Sequence, residues 1–598
     1  MGSIIPQGRV RIAVLDKAVC INGQGCDLLC QRVCPVNKVG KDCITVGSDN
    51  KPVISEELCI GCKICEHKCP VKCISIVNLS MDLGRPLHSF GENSFRLHRL
   101  PVPKQGQVVG LIGRNGIGKS TAFKVLSNHL VPNLGAFSNE APAREAVLSA
   151  FKGKELYPWF FLLYNKGLKT AFKPQQVDVL GRALKGSVQD VLRKADETNR
   201  FDAVVKALHL EALLEREVSH LSGGELQKLA IGIAGLRKAG VYFFDEPSSY
   251  LDIRERLRSA TFIRSLARDA AVFVVEHDLI LLDYLSEYVH LLYGKPSVFG
   301  VVSQVKGVRE GLNTYLEGYS REENYRFRAF PIEFEVRDAR TYAQGVKKVE
   351  WPGLFKRLDS FSLEVEPNGL NAGEVVGVVG PNGIGKTTFV KMLAGVLTPD
   401  KGTVPAHVSV AYKPQYVEGH SPESVESVLR SKIPGFDSKE FHNGIGIPLE
   451  LNALLDRPLN VLSGGELQRV ALALCLGLEA ELYVLDEPSA HLDVEQRLAV
   501  VKALRGVADQ RKASMLVVDH DLLFLDYAAD RLMVFSGEPA VQGKGVGPLP
   551  MEEGMNVLLK ELGITLRRDS SSHRPRINKP GSQKDEEQKA SGHYYYTN

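Results

Sequence analysis

No stretch of this chain approaches the roughly 18 consecutive apolar residues that a membrane-spanning helix needs, and residues 1–11 lack the charged-then-apolar pattern of a secretion signal. Neither sign of charge is in excess. Lys and Arg number 74 against 70 Asp and Glu, a formal +4 on 598 residues, so bulk charge points to neither a nucleic-acid coat nor a solvated tail. Cysteine is nearly missing after residue 73, where only Cys475 occurs, which excludes a disulfide-stapled fold for most of the chain. The expectation is a cytoplasmic protein without a membrane partner, with a nuclear pool compatible with it. Apolar content of 44% is ordinary for a globular chain, and the length predicts about three to five domains.

What is present is repetition. Gly-Arg-Asn-Gly-Ile-Gly-Lys-Ser at 113–120 recurs as Gly-Pro-Asn-Gly-Ile-Gly-Lys-Thr at 380–387. Four further motifs recur in the same order: Lys-Pro-Gln ending at Gln175 and Gln415, Leu-Ser-Gly-Gly-Glu-Leu-Gln around Ser222 and Ser463, Asp-Glu-Pro-Ser from Asp245 and Asp486, and His-Asp at His277 and His520. The loop lysines lie 267 residues apart but Ser222 and Ser463, like Asp245 and Asp486, 241, so the first copy carries an insertion. It falls at about residues 141–170 and reads as two short helices joined by a turn. Apolar runs before each glycine loop and each Asp-Glu pair predict buried parallel strands, hence an α/β core. The polar segment 308–330 and the tail 546–598 read as hinges, dividing the chain into 1–78, 79–307, 331–545 and these two connectors.

Glycine loops of this spacing let backbone N–H groups converge on phosphate at a helix N-terminus. Gly113, Asn115, Gly116 and Gly118, with Gly380, Asn382, Gly383 and Gly385, are the candidate cradles. Lys119 and Lys386 should reach the β- and γ-phosphates. Ser120 and Thr387, followed by Thr121 and Thr388, should place hydroxyls on Mg²⁺ and phosphate. Asp245 and Asp486, each closing an apolar strand, suit the metal's shell, and the next residues, Glu246 and Glu487, are candidate general bases for the attacking water.

The order of glycine loop, glutamine, Leu-Ser-Gly-Gly-Glu and Asp-Glu resembles the ABC ATPases. That resemblance implies two nucleotide-binding domains packed head to tail in one monomeric chain. Each ATP then sits between the loop of one and Ser222, Gly223 and Gly224, or Ser463, Gly464 and Gly465, of the other, so that Lys119 shares a nucleotide with Ser463. It also implies that Gln175 and Gln415 serve Mg²⁺ and water, that Asp252 and Asp493 cross the interface, that His277 and His520 face the γ-phosphate, and that Phe90 and Phe95 stack on adenine.

Ten of the eleven cysteines lie between Cys20 and Cys73. Cys59, Cys62, Cys65 and Cys69-Pro match the C-x₂-C-x₂-C-x₃-C-P run of two-cluster ferredoxins, and Cys20, Cys26, Cys30 and Cys34-Pro supply a second set. Eight thiolates suit two 4Fe–4S clusters in a small α+β ferredoxin-like domain. The ferredoxin crossing rule groups Cys20, Cys26, Cys30 and Cys69 around one cluster and Cys34, Cys59, Cys62 and Cys65 around the other. Zinc is the competing occupant. Cys43, Cys73 and Cys475 fall outside these runs.

A ferredoxin-like N-terminus before twin cassettes resembles the ABC subfamily E ribosome recycling factors, or RNase L inhibitors, over essentially the whole chain. Matching stretches include Leu-Cys-Ile-Gly-Cys-Lys-Ile-Cys and Arg-Pro-Arg-Ile-Asn-Lys at 574–579. The sequence departs from that family in having five residues between Cys20 and Cys26, Phe90 for a tyrosine, and His491 for a tyrosine. The resemblance implies splitting of ribosomes with a release factor or Pelota-like partner, and roles with initiation factors and in ribosome biogenesis. The insertion, the connector 308–328 and the basic run 567–579 are candidate contacts to ribosomal RNA of the small subunit, a solvated connector being the alternative for the run. Transporter subunit, DNA-repair ATPase and ATP-coupled redox enzyme are the rival readings.

Overall fold

The computed structural model describes residues 10–21, 25–79, 83–136, 143–334, 347–404, 408–415 and 419–595. Residues 141 and 142, the expected start of the insertion, lie outside them.

The two cassettes are built on one plan. In the first, strands run across the sheet in the order His88–Ser89, Arg96–His98, Phe299–Val302, Tyr288–Lys295, Val108–Ile112, Ala271–Val275, Val241–Asp245, Thr170–Lys173. The second repeats this order from Leu354–Leu358 to Val410–Lys413. The glycine-loop strand pairs in parallel with its neighbour in matching register, Gly110 opposite Val274 and Gly377 opposite Val517. All five residues of each inner strand are buried, which is why they read as continuous apolar runs rather than alternating ones. In the first cassette Phe123, Phe243 and Phe273 fill the space beneath the loop helix, with Phe243 and Phe273 stacked at 5.4 Å.

Helix ends follow local chemistry. Ser222 and Ser463 each cap a 14-residue helix, accepting from the backbone N–H three residues on while Glu225 and Glu466 reach back to the cap N–H, the reciprocal capping box that Ser-x-x-Glu encodes. Asp252 and Asp493 cap the helices Ile253–Leu266 and Val494–Arg511.

The N-terminal domain pairs Val10–Leu15 with Ile74–Leu79 and Ile44–Val46 with Pro52–Ile54, both antiparallel, with short helices after the cysteine loops. It is docked onto the first cassette. Asn93 donates to Ala13 O and Ile54 O and accepts from Ile54 N, Arg96 pairs with Glu56 at 2.8 Å, and Lys295 reaches Glu66 at 3.3 Å. Ile12 and Val14 join Tyr293, Phe299 and Val301 in one apolar cluster.

Between the glycine loop and the glutamine of the first cassette, helices Arg144–Phe151 and Tyr157–Asn165 pack Val147, Phe151, Trp159 and Phe160 inward against the core. The segments read as hinges are more structured than connectors. Helix Val308–Glu317 buries Leu312, Tyr315 and Leu316. The last strand of the second cassette runs through residue 545 to Pro550, and helix Met551–Leu562 follows it directly.

The basic run 567–579 requires a correction. Arg574 is fully buried and bonded to Asp283, Arg576 pairs with Asp283 at 2.6 Å and Asp569 at 3.1 Å, and Arg568 pairs with Asp526. Arg574 and Arg576 fasten the tail to the first cassette and Arg568 to the second, so these three cations neutralise carboxylates within the protein and are not displayed to RNA phosphate, while Lys579 stays exposed.

Two glycines support the loops from below. A Cβ on Gly300 would meet Ile117 O at 1.9 Å, and one on Gly543 would meet Ile384 O at 2.1 Å; in both cases the obstacle is the phosphate-loop backbone. Gly543→Ala is therefore expected to displace the second loop at a cost of about 1–3 kcal/mol, weakening nucleotide binding there, measured by isothermal titration, while thermal unfolding of the first cassette is unchanged.

Candidate functional site

Each cassette gathers the same groups at the C-terminal end of its sheet. Gly118 and Gly385 hold φ of 102° and 99°, a left-handed backbone that turns the loop into the helix and that side chains disfavour. Lys119 is buried, with Nζ donating to Gly113 O at 2.8 Å and Arg114 O at 3.0 Å; Lys386 does the same to Gly380 O and Pro381 O. Ser120 Oγ donates to Asp245 at 2.9 Å, and Thr387 Oγ1 to Asp486 at 2.9 Å. Burial raises both aspartates above the ordinary carboxylate range, opposed by these hydroxyls and the nearby lysines.

Gln175 Nε2 donates to Glu246 Oε1 at 2.7 Å, and Gln415 matches it on Glu487. Both glutamates sit at positive φ, 47° and 48°, a conformation that costs a non-glycine residue energy and needs surrounding support. That support comes from Lys173 and Gln227, which donate to Glu246 O, and from Lys413 and Gln468 on Glu487 O. Sequence reasoning passed over these four, although the lysines begin the repeated Lys-Pro-Gln and the glutamines end the repeated signature. His277 Nε2 lies 3.5 Å from Glu246, and His520 Nε2 3.9 Å from Glu487. Their ring nitrogens are buried without a hydrogen-bond partner among the described residues. Burial, with Lys119 or Lys386 and an arginine nearby, depresses both imidazoles well below their usual range. A neutral ring with an unsatisfied N–H fits a phosphate oxygen.

The halves meet reciprocally. Asn115 N–H donates to Asp493 Oδ2 at 3.1 Å, and Asn382 N–H to Asp252 Oδ2 at 2.9 Å. Arg256 reaches His520 O and Arg497 reaches His277 O. A cavity between them is lined from both sides, by Glu246 and His277 and by Glu487 and His520 among others. The signature glycines rest on the interface loops: Gly223 and Gly224 against Tyr250, Gly464 and Gly465 against His491. Tyr250 and His491 touch edge to face, 5.8 Å apart. Thr121 and Thr388 fall in the first turn of each loop helix.

Phe95 packs against Gly118, within 2.8 Å of where a Cβ would stand. Phe90 is 58% exposed, its ring 6.4 Å from that of Phe95, and so offers a free aromatic face beside the loop. Phe361 holds the position of Phe95 in the second cassette, 2.9 Å from a Cβ on Gly385; its place in the repeat was the missed signal.

The cysteines line two cavities. Cys34, Cys59, Cys62 and Cys65 border one, and Cys20, Cys26, Cys30 and Cys69 the other. This is the crossed grouping that ferredoxin spacing implies. Cys43 borders the first cavity and Cys73 the second; spacing alone had set both aside. All the thiols are free, and no three potential ligands converge on one point among the described residues. Thiols ringing a cavity suit a four-iron cluster, one thiolate to each iron, better than a single zinc ion.

The ABC transporter family model matches residues 103–249 and 367–490, and the 4Fe-4S binding domain model residues 52–75. The chain is 45% identical over 597 residues to ABC transporter E family member 1 of Arabidopsis thaliana, covering 98% of each. It is 44% identical over 598 residues to the translation initiation factor RLI1 of Saccharomyces cerevisiae, again covering 98% of each. A solved structure of ribosome-bound archaeal Pelota and ABCE1 contains a chain 50% identical to this one, with a TM-score of 0.93, 98% of this chain and 100% of that one being covered. Among the described residues no helix is long and apolar enough to cross a membrane.

Two outcomes follow from this geometry. Burial, reinforced by Asp519 and Asp486, pushes the Glu487 carboxyl up to about 7, and a protonated carboxyl cannot accept a proton from water. In a Glu246→Gln chain, where only the second site can turn over, kcat/KM is expected to fall roughly tenfold per pH unit below about pH 7 and to level off above it; a flat profile from pH 5 to 8 would contradict the role. Cys62→Ser is expected to remove about half of the brown absorbance at about 400 nm that thiolate-bound iron gives, the share of the cluster it would ligate, while leaving ATP binding unchanged. Zinc in place of iron on metal analysis would overturn the cluster assignment.

Proposed function

Because the chain belongs to the ABC transporter E family, we propose that it is an ATP-driven ribosome recycling factor, splitting ribosomes into subunits after termination or stalling. Its partners are the small ribosomal subunit with its RNA and a release factor or Pelota-like factor, with further roles beside initiation factors and in ribosome biogenesis. The relatives' association with Pelota, the ribosome and translation initiation supports this reading, and the place of work it implies is the cytoplasm.

One observation carries the mechanism: each phosphate loop donates a backbone N–H to an aspartate of the opposite cassette. Nucleotide held by Lys119 is thereby completed by the Ser463 end of the other half, and nucleotide held by Lys386 by Ser222. The helix N-termini at Gly223 and Gly464 add donors for the γ-phosphate. Ser120, Thr387, Gln175 and Gln415 would hold Mg²⁺, which would neutralise phosphate charge. Glu246 and Glu487 orient and deprotonate water, while His277 and His520 donate to the γ-phosphate from their buried rings. Loss of that phosphate removes the anion the facing donors share, and the halves part.

Two 4Fe–4S clusters, bound by the eight thiols, supply covalent cross-bridges that make the N-terminal domain a rigid head. Asn93, Arg96 and Lys295 fasten that head to the first cassette, so closure carries it as one body.

The Glu246→Gln, Glu487→Gln double variant is expected to trap the closed form on the small subunit, seen as co-sedimentation with that peak in a sucrose gradient containing ATP. Absence of the protein from all ribosomal fractions would overturn the reading.

A further inference from the structure

The repeat that makes the cassettes alike also exposes where their two nucleotide sites differ. At the second loop position, the first cassette has Arg114 and the second Pro381. Opposite Arg114 the other cassette presents two acids. Arg114 Nη2 lies 2.9 Å from Glu450 Oε1, and its Nε 3.6 Å from Glu495 Oε2. Glu450 in turn binds Arg469 at 3.1 Å, on the helix that Ser463 caps. Glu495 binds Arg328 at 2.8 Å, and Arg328 donates to Tyr315 O and Leu316 O at the end of helix Val308–Glu317.

At the second site every member of this chain is replaced. The repeat puts Pro381 for Arg114, His209 for Glu450, Lys228 for Arg469 and Arg254 for Glu495. His209 and Glu450 share the same left-handed backbone, at φ 49° and 51°, so the positions correspond in conformation as well as count. Lys228 turns to His209 O and Glu255, and Arg254 to Glu561. A proline has no charge to offer them, and a cation there would face His209 and Arg254 without an acid.

We propose that Arg114 is a positioning residue, an ionic strap that holds the first composite site closed and gives it an opening rate independent of the second. The strap has two anchors in the other half, the signature helix through Glu450 and Arg469 and the first turn of helix Val494–Arg511 through Glu495, and Glu495 ties back through Arg328 to the hinge helix, which packs on the first cassette. Opening at Lys119 and Ser463 must break Arg114 from two carboxylates at once, whereas at Lys386 and Ser222 the phosphate loop itself makes no ion pair among the described residues and the charge pair there, Arg254 with Glu561, joins two helices. Arg114 is about one-third exposed and Glu450 half exposed, so the strap is salt-sensitive and modest in strength. Its link to Arg328 passes the state of the first site to the hinge.

This inference rests on the clamp reading, and the test separates the two. Full-length, cluster-loaded protein carrying Glu246→Gln retains ATP at the first site, and Glu487→Gln retains it at the second; release of radiolabelled ATP is followed by rapid filtration. Arg114→Gln is expected to shorten retention in the first trap about fivefold, the size of a partly exposed ion pair, and to leave the second unchanged. Arg114→Lys should recover part of it, Glu450→Gln should add little on top of Arg114→Gln, and salt of about 1 M should abolish the effect of the substitution. Pro381→Arg combined with His209→Glu should lengthen retention in the second trap. Equal shortening at both sites, or none at the first, overturns the strap alone. If neither trap retains ATP, the clamp falls and the strap with it.

Discussion

Everything else in this architecture depends on a short polar contact made twice: the N–H of the third loop residue in one cassette, Asn115 or Asn382, donating to an aspartate on the other, Asp493 or Asp252. These aspartates also cap the helices that follow them, so each carboxylate is shared between the fold of its own half and the phosphate cradle of the opposite half. A phosphate site built this way is incomplete in either cassette alone. Nucleotide affinity and the distance between halves therefore become one variable.

That coupling has mechanical value only if what is attached to each half is stiff. The structure supplies stiffness with buried ion pairs: Arg574 and Arg576 on Asp283, and Arg505 on Asp530. Breaking a buried pair leaves an uncompensated charge, which is costly; such contacts favour rigid-body motion over local melting. The thiol-lined head, fastened by Asn93 through three backbone bonds, is the extreme case. Opposed to this stiffness are Glu246 and Glu487, each held at strained φ by one neighbour on a strand and one on a helix. The backbone departs from its preferred conformation where the chemistry is placed.

Much of the fold was legible because its signals are local or repeated. The apolar runs ending in glycine loops, the Ser-x-x-Glu caps and the cysteine spacing each follow from neighbouring residues, and duplication linked Gln175 to Glu246 and Ser120 to Asp245 across long separations. What escaped depends on partners distant in sequence. Charge composition made residues 567–579 look like an RNA-binding run, yet the carboxylate that absorbs Arg574 and Arg576 lies about three hundred residues earlier. Gly300 and Gly543 give no signal of their own, since their need for a bare Cα comes from a loop carbonyl on another strand. Cys43 and Cys73 sit outside the ligand spacing but inside the cavities, because β-pairing folds them back onto the cysteine loops.

The central claim, that nucleotide between the facing loops draws the cassettes together, is tested most directly by pulsed electron spin resonance between labels at two exposed positions, Val179→Cys on the first cassette and Val461→Cys on the second. In a Glu246→Gln, Glu487→Gln background the account predicts a broad distance distribution without nucleotide and a single narrow, shorter one with Mg-ATP. Distributions that coincide in the two conditions, with ATP shown to be bound, would contradict it.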